Sequence, residues 1–358
     1  MNLPMSKIEN ANKIFVSIFW GYQKDFYSFS AVENYQLHPL VVAKNMGYKP
    51  VAFVGMAENK VEDDPHYDPD IKVIYYKNIW QYLLFLWKHR SSLVYANTFV
   101  WQSFIVPFIC RRSVFMGHHT VNRKTRLKQL IQDFVFKFFW RIRVVVEGEK
   151  QFLIRHGCPP EKIFVIPYAL DTDNFHREEN SNRQGIVYLG KITRKKNPGT
   201  ILKAIALAKK HVPNIKLYVI GEILEDKQEF LEAIKNFDLG DNIELLGFVP
   251  HYELPRYLNR YLIYVNSSVK EGQCLAVYEA VLCGLNTCLP RILAFEDIFK
   301  DKALFHEVFD HETLAKNIVS YLQDSDLAER HNRDCREFIV ARYGKDYIER
   351  QLIECFTV

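Results

Sequence analysis

Two glutamates, Glu271 and Glu279, bracket a stretch of sequence that is otherwise largely apolar. Glu271-Gly272 opens a predicted turn, and a helix is predicted to begin near Leu275. Glu279 is the only charged residue between Leu275 and Leu285, and a carboxylate in so apolar a helix needs a partner if it is buried. Helical side chains lean toward the N-terminus, where free N–H groups and a partial positive charge attract phosphate. Amides for phosphate and a carboxylate for hydroxyls fit a nucleotide sugar; the alternative is a structural glutamate paired with a neighbouring lysine or amide.

A second segment with chemical potential follows a predicted strand that ends at Leu189. Gly190 comes next, and Lys191 and Lys196 bracket a short loop before a predicted helix. Cations at the end of a strand can neutralise a diphosphate leaving group. The alternative is a basic turn that faces only solvent.

Two histidines and one acidic segment are the remaining candidate functional residues. His118 and His119 follow the predicted strand 113–116, so they either face a ligand at its carboxyl end or have a structural role. The string Asp63–Asp70 contains D-x-D but lies in a proline-rich turn and lacks the glycine and final glutamate of a calcium loop. With no HExxH and no paired CxxC either, we expect no metal and no cofactor.

Length and composition indicate a soluble globular protein of about two domains. The chain has 358 residues, 48% of them hydrophobic and 25% charged, and about 150 residues per domain is typical. A net charge of +5 does not demand a nucleic-acid partner. Seven cysteines without a CxxC pair predict reduced thiols. No apolar signal core opens the sequence, so we expect a cytoplasmic protein.

The elements that must position these residues are short apolar strands alternating with amphipathic helices. Such alternation predicts parallel sheets covered on both faces. We expect an α/β protein with an N-terminal domain at 1–170, a polar linker at 171–184 and a second doubly wound domain at 185–340. A C-terminal helix at 341–358 is expected to pack back on the N-terminal domain. Ligands bind outside the carboxyl ends of parallel strands, so the default site is the cleft that the two domains face.

Four segments carry a joint resemblance to a known family. They are Glu271…Glu279, an E-x7-E signature; LGKITRKKNP at 189–198; KIFVIPYALDTDNF at 162–175; and IELLGFVPHYELPRYL at 243–258. In order and spacing they resemble the glycosyltransferases of family 4, the retaining, nucleotide-sugar-dependent group 1 enzymes. The resemblance is close over about residues 145–290. It implies the GT-B fold, two Rossmann-like domains that face each other across a cleft.

The resemblance also implies roles for individual residues. Lys191, where the family usually has arginine, and Lys196 would hold the donor diphosphate beside Gly190, and Glu279 would accept hydrogen bonds from the ribose. Glu271 would lie against the donor sugar as a catalytic residue. Amides around four further positions would bind sugar and phosphate: Gly272, Gln273, Cys274 and Leu275. Cys274 replaces a common glycine.

The N-terminal domain departs further from the family. The family's Gly-Gly loop after the first strand has a single glycine here, Gly21. A histidine facing the reacting sugar is common after a later strand, where His118 aligns best as a catalytic residue and His119 second.

The function predicted from this resemblance is retaining transfer of a sugar from a nucleoside-diphosphate sugar to a hydroxyl acceptor. Polysaccharide or glycolipid synthesis is the expected context, and a lipid-linked acceptor is one option. Two alternatives stay open: a sugar-nucleotide epimerase of the same fold, and a non-catalytic nucleotide-sugar-binding protein. The sugar, the base, the acceptor and the oligomeric state are not predicted.

A basic and aromatic segment predicts contact with a membrane surface. Residues 111–143 contain nine lysines and arginines and one acid, Asp133. On a helical wheel over 123–143, one apolar face is predicted to be core: Leu127, Leu130, Ile131, Phe134 and Phe138. A second face carries Phe136, Phe139 and Trp140 near basic residues, which is typical of an interfacial helix. We expect docking on an anionic membrane, on its inner face; a helix buried on two sides is the alternative.

Overall fold

The computed structural model describes residues 13–19, 37–55, 60–63, 67–96, 101–117, 126–179 and 183–357. Side chains are described for these residues except Asp63 and residues 126–129. The chain divides into two structural units, Met1–Ala169 with Asp346–Val358, and Leu170–Lys345.

The first unit contains a seven-stranded sheet in which every pair of neighbouring strands is parallel. The strand order is β3-β2-β1-β4-β5-β6-β7, so the winding direction reverses at β1. The strands are β1 Ile14–Phe19, β2 Lys49–Gly55, β3 Lys72–Tyr76, β4 Leu93–Ala96, β5 Arg112–Gly117, β6 Arg141–Val144 and β7 Ile163–Val165.

The helices of the first unit pack on this sheet. They are α1 His38–Asn45, α2 Ile79–Lys88, α3 Val106–Ile109, α4 Arg126–Phe136 and α5 Glu147–Arg155, and the C-terminal helix Lys345–Phe356 joins them. That C-terminal helix buries Ile348, Leu352 and Phe356. The Phe356 ring lies 5.0 Å from that of Phe15 on β1, so the end of the chain completes the core of the first unit.

The second unit contains a six-stranded parallel sheet of order β10-β9-β8-β11-β12-β13. The strands are β8 Ile186–Leu189, β9 Leu217–Ile220, β10 Ile243–Gly247, β11 Ile263–Val265, β12 Asn286–Pro290 and β13 Leu304–His306. The helices are α6 Pro198–Ala208, α7 Lys227–Asn236, α8 Leu254–Leu258, α9 Leu275–Leu282, α10 Glu296–Phe299, α11 His311–Gln323 and α12 Ser325–Tyr343. The C-terminal helix Lys345–Phe356 is α13. The prediction of two doubly wound parallel-sheet domains is confirmed.

Local sequence explains where several helices begin. The Asn78 side chain accepts a hydrogen bond from the Gln81 N–H at the start of α2, and Asp310 does the same for Thr313 at α11. Such caps satisfy amides that have no partner inside the helix. Within the described part of the chain, no helix combines the length and apolar character needed to cross a bilayer.

The predicted faces of the segment 123–143 are wrong. Phe136 and Phe139 are fully buried in the core, whereas the predicted core residues are exposed: Leu130, Ile131, Phe134 and Phe138. The side chain of Leu127 lies outside the described residues. Within α4, the face with Gln132, Val135 and Phe136 is the one that packs inward. Since α4 ends at Phe136, residues 137–140 turn toward β6 and no longer follow the helical period.

Trp140 is not part of an exposed aromatic face either. It is half-buried, and its ring lies under two guanidinium groups, Arg141 at 4.2 Å and Arg112 at 4.9 Å from the ring centroid. Cation–π contacts of this kind hold the ring against the protein.

Candidate functional site

The candidate site lies at the carboxyl ends of β8 and β11, which are neighbours in the second sheet. Strand β8 also pairs with β9 on its other side, so the chain winds in opposite directions from this strand. Ligands in open α/β sheets bind at such a reversal, outside the carboxyl ends of the strands. Both loops singled out in the sequence begin here.

The loop after β8 is shaped by two glycines. Gly190 adopts φ 149°, and its N–H donates to the Ile220 carbonyl. A Cβ at Gly221 would collide with the Gly190 carbonyl oxygen, so only glycine allows this close approach of two strand ends. The Lys191 side chain is exposed. The chain then forms a 3₁₀ turn over Arg194–Lys196 that precedes α6.

The loop after β11 is tied to this turn. Ser267 Oγ lies 2.9 Å from the Lys196 carbonyl oxygen and 2.7 Å from that of Asn197. The Val269 N–H donates to the Lys195 carbonyl at 3.0 Å. These bonds fix Lys196 next to the second loop. The sequence analysis did not identify Ser267 as a site residue. Its position directly after the apolar strand β11 could have indicated this role.

Lys196 and Glu271 form an ion pair in this corner. The Lys196 Nζ contacts Glu271 Oε1, Lys195 Nζ lies 4.0 Å from Oε2, and Ser268 Oγ donates to Oε1 at 2.7 Å. Glu271 is 7% exposed and Lys196 22%. Burial opposes both charges, but the acidic groups beside Lys196 raise its pKa, and Lys196 in turn lowers the pKa of Glu271. A half-buried cation is therefore fixed close to the end of β8.

We expect Glu271→Gln to flatten the acid limb of the stability curve. The folded pKa of Glu271 is lowered, so its stabilisation is present above the ordinary value of 4.5 and is lost as the pH falls through the lowered value. Lys196 stays protonated over this range because its pKa is raised. Urea unfolding from about pH 7 to about pH 3 measures the slope. Equal slopes for wild type and variant below the ordinary glutamate pKa would contradict this assignment.

The residues 272–275 form the entry to α9. Gly272 and Gln273 are buried, and Cys274 is the N-cap with φ 52° and ψ 72°. This left-handed conformation costs an L-residue about 1–2 kcal/mol and explains why glycine is common here in the family that the sequence resembles. Burial raises the pKa of the Cys274 thiol to about 12, so the thiol is neutral near pH 7. Leu275 begins the helix, whose N-terminal amides point toward the same corner as Lys196.

Glu279 is buried on α9 and pairs with a histidine that sequence reasoning did not single out. Its Oε1 lies 2.8 Å from His251 Nε2, and both side chains are 8% exposed. His251 comes from the 3₁₀ turn His251–Glu253 beyond β10, and its ring centroid lies 5.0 Å from that of Phe175. Three of the four motifs of the sequence resemblance thus meet at one place. The position of His251 inside the motif 243–258 could have identified it as a site residue from the sequence.

The remaining candidates belong to the first unit. His118, His119 and Gly21 lie outside the described residues. Asp68 and Asp70 belong to the first unit, where both bind Lys44 Nζ, at 2.7 Å and 2.6 Å. Lys44 lowers the pKa of Asp68. Nowhere in the described ranges do three or more histidine, cysteine, aspartate or glutamate side chains come together in a way that could hold a metal ion.

Comparisons with known proteins agree with this geometry. Residues 171–338 match the family model of glycosyl transferases group 1. In Arabidopsis thaliana, a component of phosphatidylinositol N-acetylglucosaminyltransferase is 29% identical over 188 residues, 51% of this chain and 42% of that protein. An amylovoran biosynthesis glycosyltransferase of Erwinia amylovora, AmsK, is 30% identical over 142 residues, 37% of this chain and 35% of that protein. The matches thus span less than half the length of these curated relatives.

Among solved structures, HepE of Anabaena in complex with UDP superimposes with a TM-score of 0.79 at 15% identity. The superposition covers 95% of this chain and 98% of that one. The same protein in complex with UDP-glucose gives a TM-score of 0.74 and covers 94% and 98% of the two chains. The architecture is therefore that of the GT-B glycosyltransferases. Over residues 171–338, which lie within the second unit, the chain is similar to the group 1 glycosyl transferases.

Proposed function

We propose that the protein transfers a hexose from a nucleoside-diphosphate sugar to a hydroxyl acceptor with retention of the anomeric configuration. The observation that carries the proposal is the corner at β8 and β11, where Lys196 is half-buried, charged and fixed beside the N-terminus of α9. A fixed cation and free helix amides are what a departing diphosphate requires. The solved complexes of the Anabaena neighbour with UDP and UDP-glucose support this donor class.

Each residue of the corner has a part in this reaction. Lys196, with Lys191 nearer to solvent, stabilises the diphosphate as its bond to the anomeric carbon breaks. The acceptor oxygen forms the new bond to that carbon, and its proton passes to the departing diphosphate oxygen. Glu271 lies against the donor sugar and holds Lys196, while the amides of 272–275 receive sugar and phosphate. His118 is proposed to face the reacting sugar from the first domain.

Glu279 and His251 form the nucleoside end of this proposed site. The carboxylate of Glu279 is turned toward His251, and a ribose hydroxyl replacing or sharing that contact would gain a charge-assisted hydrogen bond. Since the two residues come from α9 and from the turn after β10, donor binding would join two elements of the second domain.

The proposed acceptor is a growing polysaccharide or a glycolipid. The names of relatives support this class, since one belongs to a phosphatidylinositol N-acetylglucosaminyltransferase and another acts in amylovoran biosynthesis. A lipid-linked acceptor would agree with both.

The direct test is a survey of nucleotide sugars with the purified protein. Thermal-shift screening identifies the donor, and incubation with that donor and hydroxyl acceptors should give a product whose anomeric configuration NMR reports as that of the donor. Formation of the epimeric nucleotide sugar from donor alone would favour the alternative of an epimerase, and an inverted product would contradict retention.

We expect the transfer to proceed in EDTA. Lys196 and the α9 amides supply the positive charge that a divalent ion supplies elsewhere, so rates with EDTA and with added magnesium should agree within about twofold. Loss of activity in EDTA, restored by magnesium or manganese, would contradict this. In that case the Asp68→Ala, Asp70→Ala variant would show whether the D-x-D string holds the ion.

A further inference from the structure

The outer side of α2 carries a stripe of large apolar side chains. Trp80, Leu84 and Trp87 are 76%, 71% and 62% exposed. They are spaced by four and three residues, which places them on one face of the helix. The opposite face of α2 packs Tyr82 and Leu86 into the core. This helix is thus apolar on both sides, although among the described residues one side alone packs into the core.

Two neighbouring helices continue the same surface. Phe108 on α3 is 56% exposed, and its ring lies 5.0 Å from the ring of Phe138, just after α4. Phe138 in turn lies 5.0 Å from the exposed Phe134 on α4. Phe108, Phe138 and Phe134 therefore form one connected set of exposed rings.

The three helices lie side by side on one face of the first sheet. Val106 of α3 and Phe136 of α4 share a core cluster with Tyr82 and Leu86 of α2. The Arg111 N–H after α3 donates to the Arg90 carbonyl after α2 at 3.3 Å. We call the exposed apolar side chains of these helices the outer layer; it comprises Trp80, Leu84, Trp87, Phe108, Phe134 and Phe138.

The sequence around the outer layer is predominantly basic. Residues 71–138, which include all three helices, contain eleven lysines and arginines and one acid, Asp133. Lys77, Lys88, Arg90 and Arg111 are exposed at the ends of α2 and α3, and the Arg90 guanidinium lies 4.9 Å from the centroid of the Trp87 ring. An apolar surface with a basic rim attracts an anionic partner that also accepts aromatic side chains.

We propose that the outer layer docks on an anionic lipid bilayer, with its aromatic side chains at the level of the headgroups. Tryptophan is enriched at membrane interfaces because one end of the ring is apolar and the other is polar. A second copy of the chain would bring two predominantly basic rims together, and like charges repel. A bilayer offers apolar depth and negative charge on the same surface. The proposal concerns a surface of the first unit and does not depend on glycosyl transfer.

Vesicle co-sedimentation tests the proposal. The full chain should sediment with phosphatidylcholine vesicles that contain roughly a third phosphatidylglycerol and remain in solution with phosphatidylcholine alone. Raising the salt from about 20 mM to about 0.5 M should release it, since screening removes the attraction of the basic rim. Trp80→Glu with Phe134→Glu should lower the vesicle partition coefficient by more than about tenfold.

Matched control variants test whether vesicle binding depends on the outer layer itself or on the charge of the whole protein. Val340→Glu places the same charge on an exposed apolar position of the second unit and should leave vesicle binding unchanged. Lys88→Glu with Arg90→Glu should weaken binding, whereas Lys203→Glu with Lys210→Glu, exposed in the second unit, should not. Thermal unfolding and donor binding establish that each variant is folded.

Three results would overturn the proposal. One is wild-type protein that stays in the supernatant with anionic vesicles at low salt. Another is binding that Trp80→Glu with Phe134→Glu leaves unchanged. The third is a stable dimer in solution that the same substitutions dissociate, because the outer layer would then be an interface between copies.

Discussion

Replacing Lys196 by alanine is expected to lower kcat by about two to three orders of magnitude, the usual effect of removing one fixed donor for transition-state charge. The same change should also destabilise the fold. Glu271 is 7% exposed and pairs with Lys196, and after the change it keeps only the Ser268 hydroxyl at 2.7 Å and Lys195 Nζ at 4.0 Å. The cost should therefore be below the figure of about 3–5 kcal/mol that is typical of a buried charge left without any partner. Lys196→Ala alone therefore does not separate catalysis from stability.

A double-mutant cycle separates the two effects. Lys196→Ala with Glu271→Gln removes both charges, so the free energy of unfolding should recover most of the loss while kcat remains low. Lys203→Ala, on the exposed side of α6, is the matched control and should leave both quantities unchanged. Near-normal turnover in the stable double variant would assign Lys196 a structural role only.

Replacing Glu279 by alanine is expected to weaken donor binding by about 10- to 150-fold. Hydrogen bonds to a charged group contribute about 1.5–3 kcal/mol, and the proposed partner of this carboxylate is the ribose. The effect should appear in the donor Kd and KM more than in kcat, because the ribose is remote from the bond that breaks. Calorimetry with the donor measures the Kd directly.

His251 gives this prediction a second arm. His251→Ala removes the side chain that lies 2.8 Å from the Glu279 carboxylate, so the donor should bind more weakly, but less so than with Glu279→Ala. Glu232→Ala, at an exposed position of α7, is the control for a lost carboxylate. Unchanged donor affinity in a folded Glu279→Ala variant would remove this residue from the site.

Much of the fold follows from local sequence patterns. Short β-branched runs separated by helical stretches imply parallel sheets, since both faces of each strand must be covered. The strand Ile186–Leu189 ends where it is predicted to end, and the helix Leu275–Leu282 begins at its predicted start. The resemblance carried by four motifs also predicted the family and the GT-B fold correctly. Those motifs lie at turns and helix ends, which local sequence determines.

The sequence by itself did not determine which face of α4 is buried. A helical period separates two apolar faces but does not say which one meets the sheet, and the wheel assumed a helix that continues past Phe136. In the structure the helix ends there, Phe136 and Phe139 fill the core, and Phe134 and Phe138 face outward.

The site shows the same division between local and tertiary information. The sequence by itself placed Glu271, Lys196 and Glu279 at the ends of strands or on the first turns of a helix, where a ligand would bind. Only the tertiary structure decided that Lys196 pairs with Glu271, 75 residues away, and that His251 pairs with Glu279, 28 residues away. The physical reason is that neighbouring parallel strands bring distant loops to one edge of a sheet, and no period in the sequence encodes which side chains meet there.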